Sequence, residues 1–160
     1  MVTLTVRHDR SDSLQSVWDA VAAGWHRVTS GAPWKRLVAR HSIAGWAKAV
    51  EVTHGTNGWH VHVHAVIAYQ STQVQAMGAE IFDRWNAGIE SVGFTAEAGP
   101  GVDVQVAGDD LGKLGLYLAK LGADLPGLAR EATQGGQKHA RGANRTPVSY
   151  THLTLPTSGI

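Results

Sequence analysis

Residues 45–64 read Gly45-Trp46-Ala47-Lys48-Ala49-Val50-Glu51-Val52-Thr53-His54-Gly55-Thr56-Asn57-Gly58-Trp59-His60-Val61-His62-Val63-His64. Gly55-Thr56-Asn57-Gly58 is turn chemistry between two runs rich in β-branched and aromatic residues. The stretch is therefore a hairpin, with one arm from Trp46 to His54 and the other from Trp59 to His64, continuing through Ala65-Val66-Ile67. Side chains alternate faces along a strand. His60, His62 and His64 thus share one face, while Trp59, Val61 and Val63 share the other and pack on helices. A symmetric turn puts Glu51 opposite His62, with cross-strand Cβ atoms about 5 Å apart. Val50 and Val52 then lie on the core face, as does His54, which is left out of the site.

Successive histidines on that face are about 7 Å apart from the strand rise. Two imidazoles so spaced can converge on one metal ion, with a carboxylate from the neighbouring strand as third ligand. Two imidazoles and a carboxylate suit Mn²⁺ or Mg²⁺, or Zn²⁺ in vitro. The plain alternative is a strand carrying three solvated histidines.

Outward from the hairpin, Val2-Thr3-Leu4-Thr5-Val6 alternates as a first strand. Ser11-Asp12-Ser13 caps a helix whose buried stripe is Leu14, Val17, Trp18, Val21, Trp25 and Val28. Ser30-Gly31-Ala32-Pro33 ends it, and a short basic helix follows from Trp34 to His41. After the hairpin, Val74, Met77, Ile81, Phe82, Trp85, Ile89 and Val92 mark a second long helix. Val102 to Val106 alternates as a strand, and Asp109 caps a last helix to about Gly122. The class is α+β, a central antiparallel sheet with helices mainly on one face.

The chain has 160 residues, one ordinary domain, with 14 basic and 13 acidic side chains and no cysteine. Disulfide scaffolds, thiolate zinc sites and thiol nucleophiles are excluded. No apolar run approaches a membrane span, and Met1 to Arg10 lack the apolar core of a secretory signal. The expected location is the cytoplasm, with no membrane partner. Nine histidines and six tryptophans stand out.

In Leu114-Gly115-Leu116-Tyr117-Leu118-Ala119-Lys120, the side chains of Asp110, Lys113, Tyr117 and Lys120 share one helical stripe. Lysines beside a tyrosine stabilise its phenolate and make it a plausible nucleophile toward a phosphodiester. A solvated tyrosine beside solvated lysines is the commoner arrangement. Beyond Leu125 the chain is Gly-rich and basic. Residues 147–160 resemble the conceptual translation of a transposase-end sequencing adapter and are set aside from the 1–146 domain; an ordinary disordered tail is the alternative.

Three ordered motifs resemble those of plasmid rolling-circle replication initiators, the Rep proteins of the HUH endonuclease superfamily. They are Thr3-Leu4-Thr5-Val6-Arg7, then Ala49 to His64, then Tyr117-Leu118-Ala119-Lys120. Glu131-Ala132-Thr133, Lys138 and Arg145-Thr146-Pro147 resemble that family's downstream pattern. The resemblance implies an HUH-nuclease, RRM-like α+β domain in which a His-hydrophobe-His pair holds a divalent metal, Mg²⁺ or Mn²⁺. His62 and His64 are the expected pair and Glu51 the third ligand. His60 is an alternative ligand, so the pairs 60/62 and 62/64 both stay open. The implied reaction is nicking and strand transfer on single-stranded or extruded origin DNA through a 5′-phosphotyrosine at Tyr117. Lys120 would stabilise the phenolate. Related initiators often pair the tyrosine with a nearby acid; Lys113 stands where that acid is expected, and Asp110 is the substitute. The freed 3′-hydroxyl would prime a host polymerase, with a helicase as an indirect partner.

DNA contacts are expected from Arg7, Lys35, Arg36, Arg40 and Lys113, and from Lys138, Arg141 and Arg145 in the basic arm. Trp34 or Trp46 would stack bases or pack in the core. Two rival functions remain. His60-Val61-His62-Val63-His64-Ala65-Val66 also fits the pattern of histidine-triad nucleotide hydrolases, with His62 as nucleophile. A non-catalytic DNA-binding module is the other.

Overall fold

The computed structural model describes residues 1–108, 110, 112, 113, 115 and 116. The elements are β1 (Val2–Thr5), α1 (Leu14–Val28), α2 (Gly31–His41), β2 (Gly45–Gly55), β3 (Gly58–Ala68), α3 (Val74–Glu90) and β4 (Val102–Val104). The four strands form one antiparallel sheet in the order β2-β3-β1-β4. With α2 set aside, this is the β-α-β-β-α-β arrangement, and the expected α+β class is what the chain adopts.

The alternation expected in the hairpin holds in β3 from His60 to Val66, whereas in β2 the neighbours Lys48 and Ala49 are both buried and His54, expected on the core face, is exposed. Val61, Val63 and Ala65 are buried, whereas His60, His62 and His64 remain partly open to solvent. Glu51 pairs with His62, and Gly55 with Gly58. Val2 and Leu4 of β1 join Val61 and Val63 in one core with Val17, Val21 and Trp25 of α1, Leu37 of α2, and Ile81, Trp85 and Ile89 of α3. Burying each such side chain contributes about 1.5–3 kcal/mol before the entropy of ordering the chain is counted.

Helix boundaries follow local chemistry. The Ser13 hydroxyl accepts from the Ser16 amide at 3.0 Å and starts α1. Arg84 of α3 donates to the carbonyls of Arg27, Val28 and Ser30 and so closes the end of α1. The second helix starts earlier than expected, at Gly31. Pro33 falls in its first turn, where a missing N–H costs nothing. α3 ends before Val92, which is 47% exposed and not a core residue. β4 is shorter than expected because its partner β1 begins at Val2; past it, only Gln105 and Met1 still exchange hydrogen bonds. No described helix is long and apolar enough to cross a membrane.

Candidate functional site: a histidine face anchored on the first strand

The three histidines of β3 stand on the sheet face away from the Val61/Val63 core, with rings stacked in a row. Centroids are 6.2 Å apart from His60 to His62 and 6.3 Å from His62 to His64, with interplanar angles of 5° and 20°. Each ring is held through Nδ1 by a group on the β1 side. Thr3, the register partner of His64, places its hydroxyl 3.1 Å from that ring's Nδ1. Thr5, the register partner of His62, places its hydroxyl at 3.0 Å. His8 places Nε2 2.9 Å from Nδ1 of His60. Anchoring Nδ1 fixes ring orientation and turns Nε2 outward, an arrangement common to imidazoles that bind metals.

Glu51 lies across from His62, as the register requires, but its carboxylate reaches diagonally to His64. His64 Nε2 donates to Glu51 Oε2 at 2.8 Å. Burial pushes the His62 imidazole below its ordinary range. The Glu51 charge pulls the other way, and His64, His60 and His8 add to the lowering. Burial therefore favours the neutral imidazole at His62, the form that binds metal.

His8 was not foreseen. Strand parity points to Arg7 as the next residue on this face, but the chain leaves β1 after Thr5. Residues 9–12 form a turn in which Asp9 Oδ1 accepts from the Ser11 amide at 2.7 Å and Asp12 Oδ2 from the Asp9 amide at 2.8 Å. Arg10 ties this turn to the Thr56 carbonyl at the hairpin tip. Gly58, with φ of 93°, lets the Asp9 backbone come so close that a Cβ would sit 2.9 Å from its oxygen. This docking delivers His8 edge-on to His60, with centroids 4.2 Å apart. Burial, then the neighbouring His60, lowers the His8 pKa. No sequence periodicity signals a contact made through a turn.

As placed, no group of three His, Asp or Glu among the described residues encloses a metal position. Two nitrogens sharing one ion at about 2.1 Å each stand within roughly 4 Å of one another, closer than the spacing of these parallel rings. The donor set nonetheless fits a divalent cation in kind. Nδ1-anchored imidazoles and a carboxylate share one open surface, and His64 Nε2 and Glu51 Oε2 are a nitrogen and an oxygen donor already side by side. Closing the site requires His62 and His64 to tilt together.

The remaining candidates are dispersed. Asp110 Oδ1 accepts from the Lys113 amide at 3.0 Å, the geometry of a helix cap, and Lys113 is exposed. Arg7 is ion-paired with Glu97 at 2.6 Å, and Arg40 with Glu80 at 2.5 Å. Lys35 and Arg36 are exposed on α2. Trp46 packs edge-on against Trp25 at 5.0 Å, and both it and Trp34 border the core. Tyr117, Lys120, Lys138, Arg141 and Arg145 lie outside the described residues, as do Asp109 and residues 147–160. A groove of about 320 Å³ opens beside the histidine face between Thr5, Arg7, Glu97 and Gly101. Compared with known proteins, the chain matches no family model, no curated protein and no solved structure.

Proposed function

We propose that this chain is a metal-dependent single-strand DNA nickase and strand transferase that starts rolling-circle replication of a plasmid. One observation carries the reading: three imidazoles stand in a row on the open face of the sheet, their Nδ1 atoms anchored and a carboxylate beside them. His62, His64 and Glu51 would hold a divalent ion, Mg²⁺ or Mn²⁺, with His60 alongside. Such an ion would supply Lewis-acid polarisation of a scissile phosphate. Tyr117 supplies the nucleophile on this reading. Its phenolic oxygen bonds to phosphorus, the bond from phosphorus to O3′ breaks, and the phenolic proton ends on the departing 3′-hydroxyl. Lys120 favours the phenolate, and Asp110 is the acid assigned to the later release step. The partners are origin DNA with its scissile strand unpaired and, indirectly, a host polymerase and helicase in the cytoplasm.

The test is incubation of the full chain with Mn²⁺ and a library of single-stranded oligonucleotides, scored for a DNA–protein adduct that survives denaturation. Chelation abolishes the adduct, and Tyr117→Phe lowers it by roughly 10⁴-fold or more. An adduct that persists in Tyr117→Phe overturns the assignment. Metal-independent hydrolysis of a nucleoside phosphoramidate, unchanged in that variant, makes the protein a histidine-triad hydrolase instead.

A further inference from the structure

The threonines of β1 do more than anchor rings. An ionised Glu51 has no proton to give, so His64 carries its proton on Nε2 at the 2.8 Å contact. In the neutral ring Nδ1 is then bare, and the Thr3 hydroxyl donates to it. A cation needs the lone pair on Nε2. That pair becomes free only if the ring's proton resides on Nδ1, where a hydrogen-bond acceptor must then stand. A hydroxyl is both donor and acceptor and turns to suit. A carbonyl or carboxylate at this place would serve the second state alone.

We propose that Thr3 and Thr5 are positioning residues, the Thr3 hydroxyl reversing direction to carry His64 between a metal-free tautomer and a cation-binding one, and the Thr5 hydroxyl holding His62 in its cation-binding one. This rests on the reading of His62, His64 and Glu51 as cation ligands. The proton count is unchanged: Nε2 of His64 gives a proton to water, and Nδ1 takes one. Thr5 stands to His62 as Thr3 does to His64, so its hydroxyl can accept from a protonated Nδ1 there. His60 differs. Its Nδ1 faces another imidazole, His8, so a tautomer change at His60 forces a second at His8. The hydroxyl partners therefore select the pair 62/64 over 60/62.

The test uses the full chain at about pH 8, above the ordinary imidazole pKa of about 6.5. Two-bond ¹⁵N–¹H spectra report the proton of His64 on Nε2 without metal and on Nδ1 with Zn²⁺ bound. Thr3→Val and Thr5→Val bind Zn²⁺ and Mn²⁺ roughly 10- to 100-fold more weakly, and Thr3→Ser restores the parent affinity. Valine variants that bind as tightly as a metal-binding parent overturn the inference alone, as does His64 keeping its Nε2 proton with Zn²⁺ bound. A parent chain that binds neither ion overturns the ligand assignment and the inference with it. Should a valine variant unfold, the parent's tautomer spectra decide.

Discussion

A single ring carries the clearest pH signature. Burial holds the His62 pKa below its ordinary value of 6.5, and His8 is shifted the same way. Between the folded value and 6.5 the unfolded chain binds more protons than the folded one. Stability from these rings is therefore fully present above 6.5 and is lost as pH falls through that window. Asp9 acts separately: hydrogen bonds from Ser11 lower its pKa, so its contribution fades only in stronger acid. In metal-free protein the urea midpoint falls from about pH 7.5 to about pH 5. His62→Gln, which cannot take up the proton, reduces that fall. A midpoint that stays level or rises on acidification contradicts the burial of His62. The Glu51 carboxylate is more than half exposed, so it adds little stability whatever its part in binding.

At the scale of elements, α1 and α3 meet through glycine. A Cβ on Gly88 would lie 2.7 Å from the Gly24 Cα and 2.9 Å from the Ala23 carbonyl oxygen, both backbone atoms that cannot swing aside. Helix propensity alone favours Gly88→Ala by about 1 kcal/mol, whereas overpacking costs about 1–3 kcal/mol or more. Packing prevails because the helices must separate to admit the methyl. The variant unfolds at lower temperature by calorimetry, and a Tm equal to the parent's sinks this account. That helix contact was not legible in the sequence, where the glycines read as weak points in two helical patterns. The hairpin was legible because three signals agree: a Gly-rich turn, strict alternation, and polar and apolar sets of opposite parity. They fixed the Glu51–His62 pairing, and the buried valines left one solution. The diagonal reach of Glu51 to His64 was not legible, since register sets Cβ positions while the rotamer decides which ring a long side chain meets. His8 escaped for a different reason: its place depends on residues 9–12 docking on the hairpin tip, a contact without a period. The start of α2 was missed because Pro33 reads as a stop but is tolerated in a first turn.

Across the whole molecule, charge is nearly balanced, 14 basic against 13 acidic side chains, so on the proposed function any DNA affinity depends on where cations stand. Arg7 lies at the groove beside the histidine face, paired with Glu97, and both side chains are largely exposed. Such a pair contributes about 0–1 kcal/mol, little enough for a phosphate to displace the carboxylate. Lys35 and Arg36 belong to α2, whose Leu37 enters the core that lies behind the sheet from the histidines. A short single strand laid across the histidine face meets Arg7, while only flanking DNA long enough to pass round the domain meets α2. Each phosphate contact on a single strand contributes about 0.7 to the slope of log affinity against log salt. Arg7→Gln therefore lowers the slope for a short oligonucleotide by about 0.7. The double change Lys35→Gln, Arg36→Gln leaves the short-oligonucleotide slope as it was and lowers that of a long flanked hairpin by about 1.4 or more. Binding titrations over a salt series, read by fluorescence anisotropy, decide between the two faces. If the α2 double variant flattens the short-strand slope and Arg7→Gln does not, the DNA path runs over the helices and the histidine face is not where the strand is held.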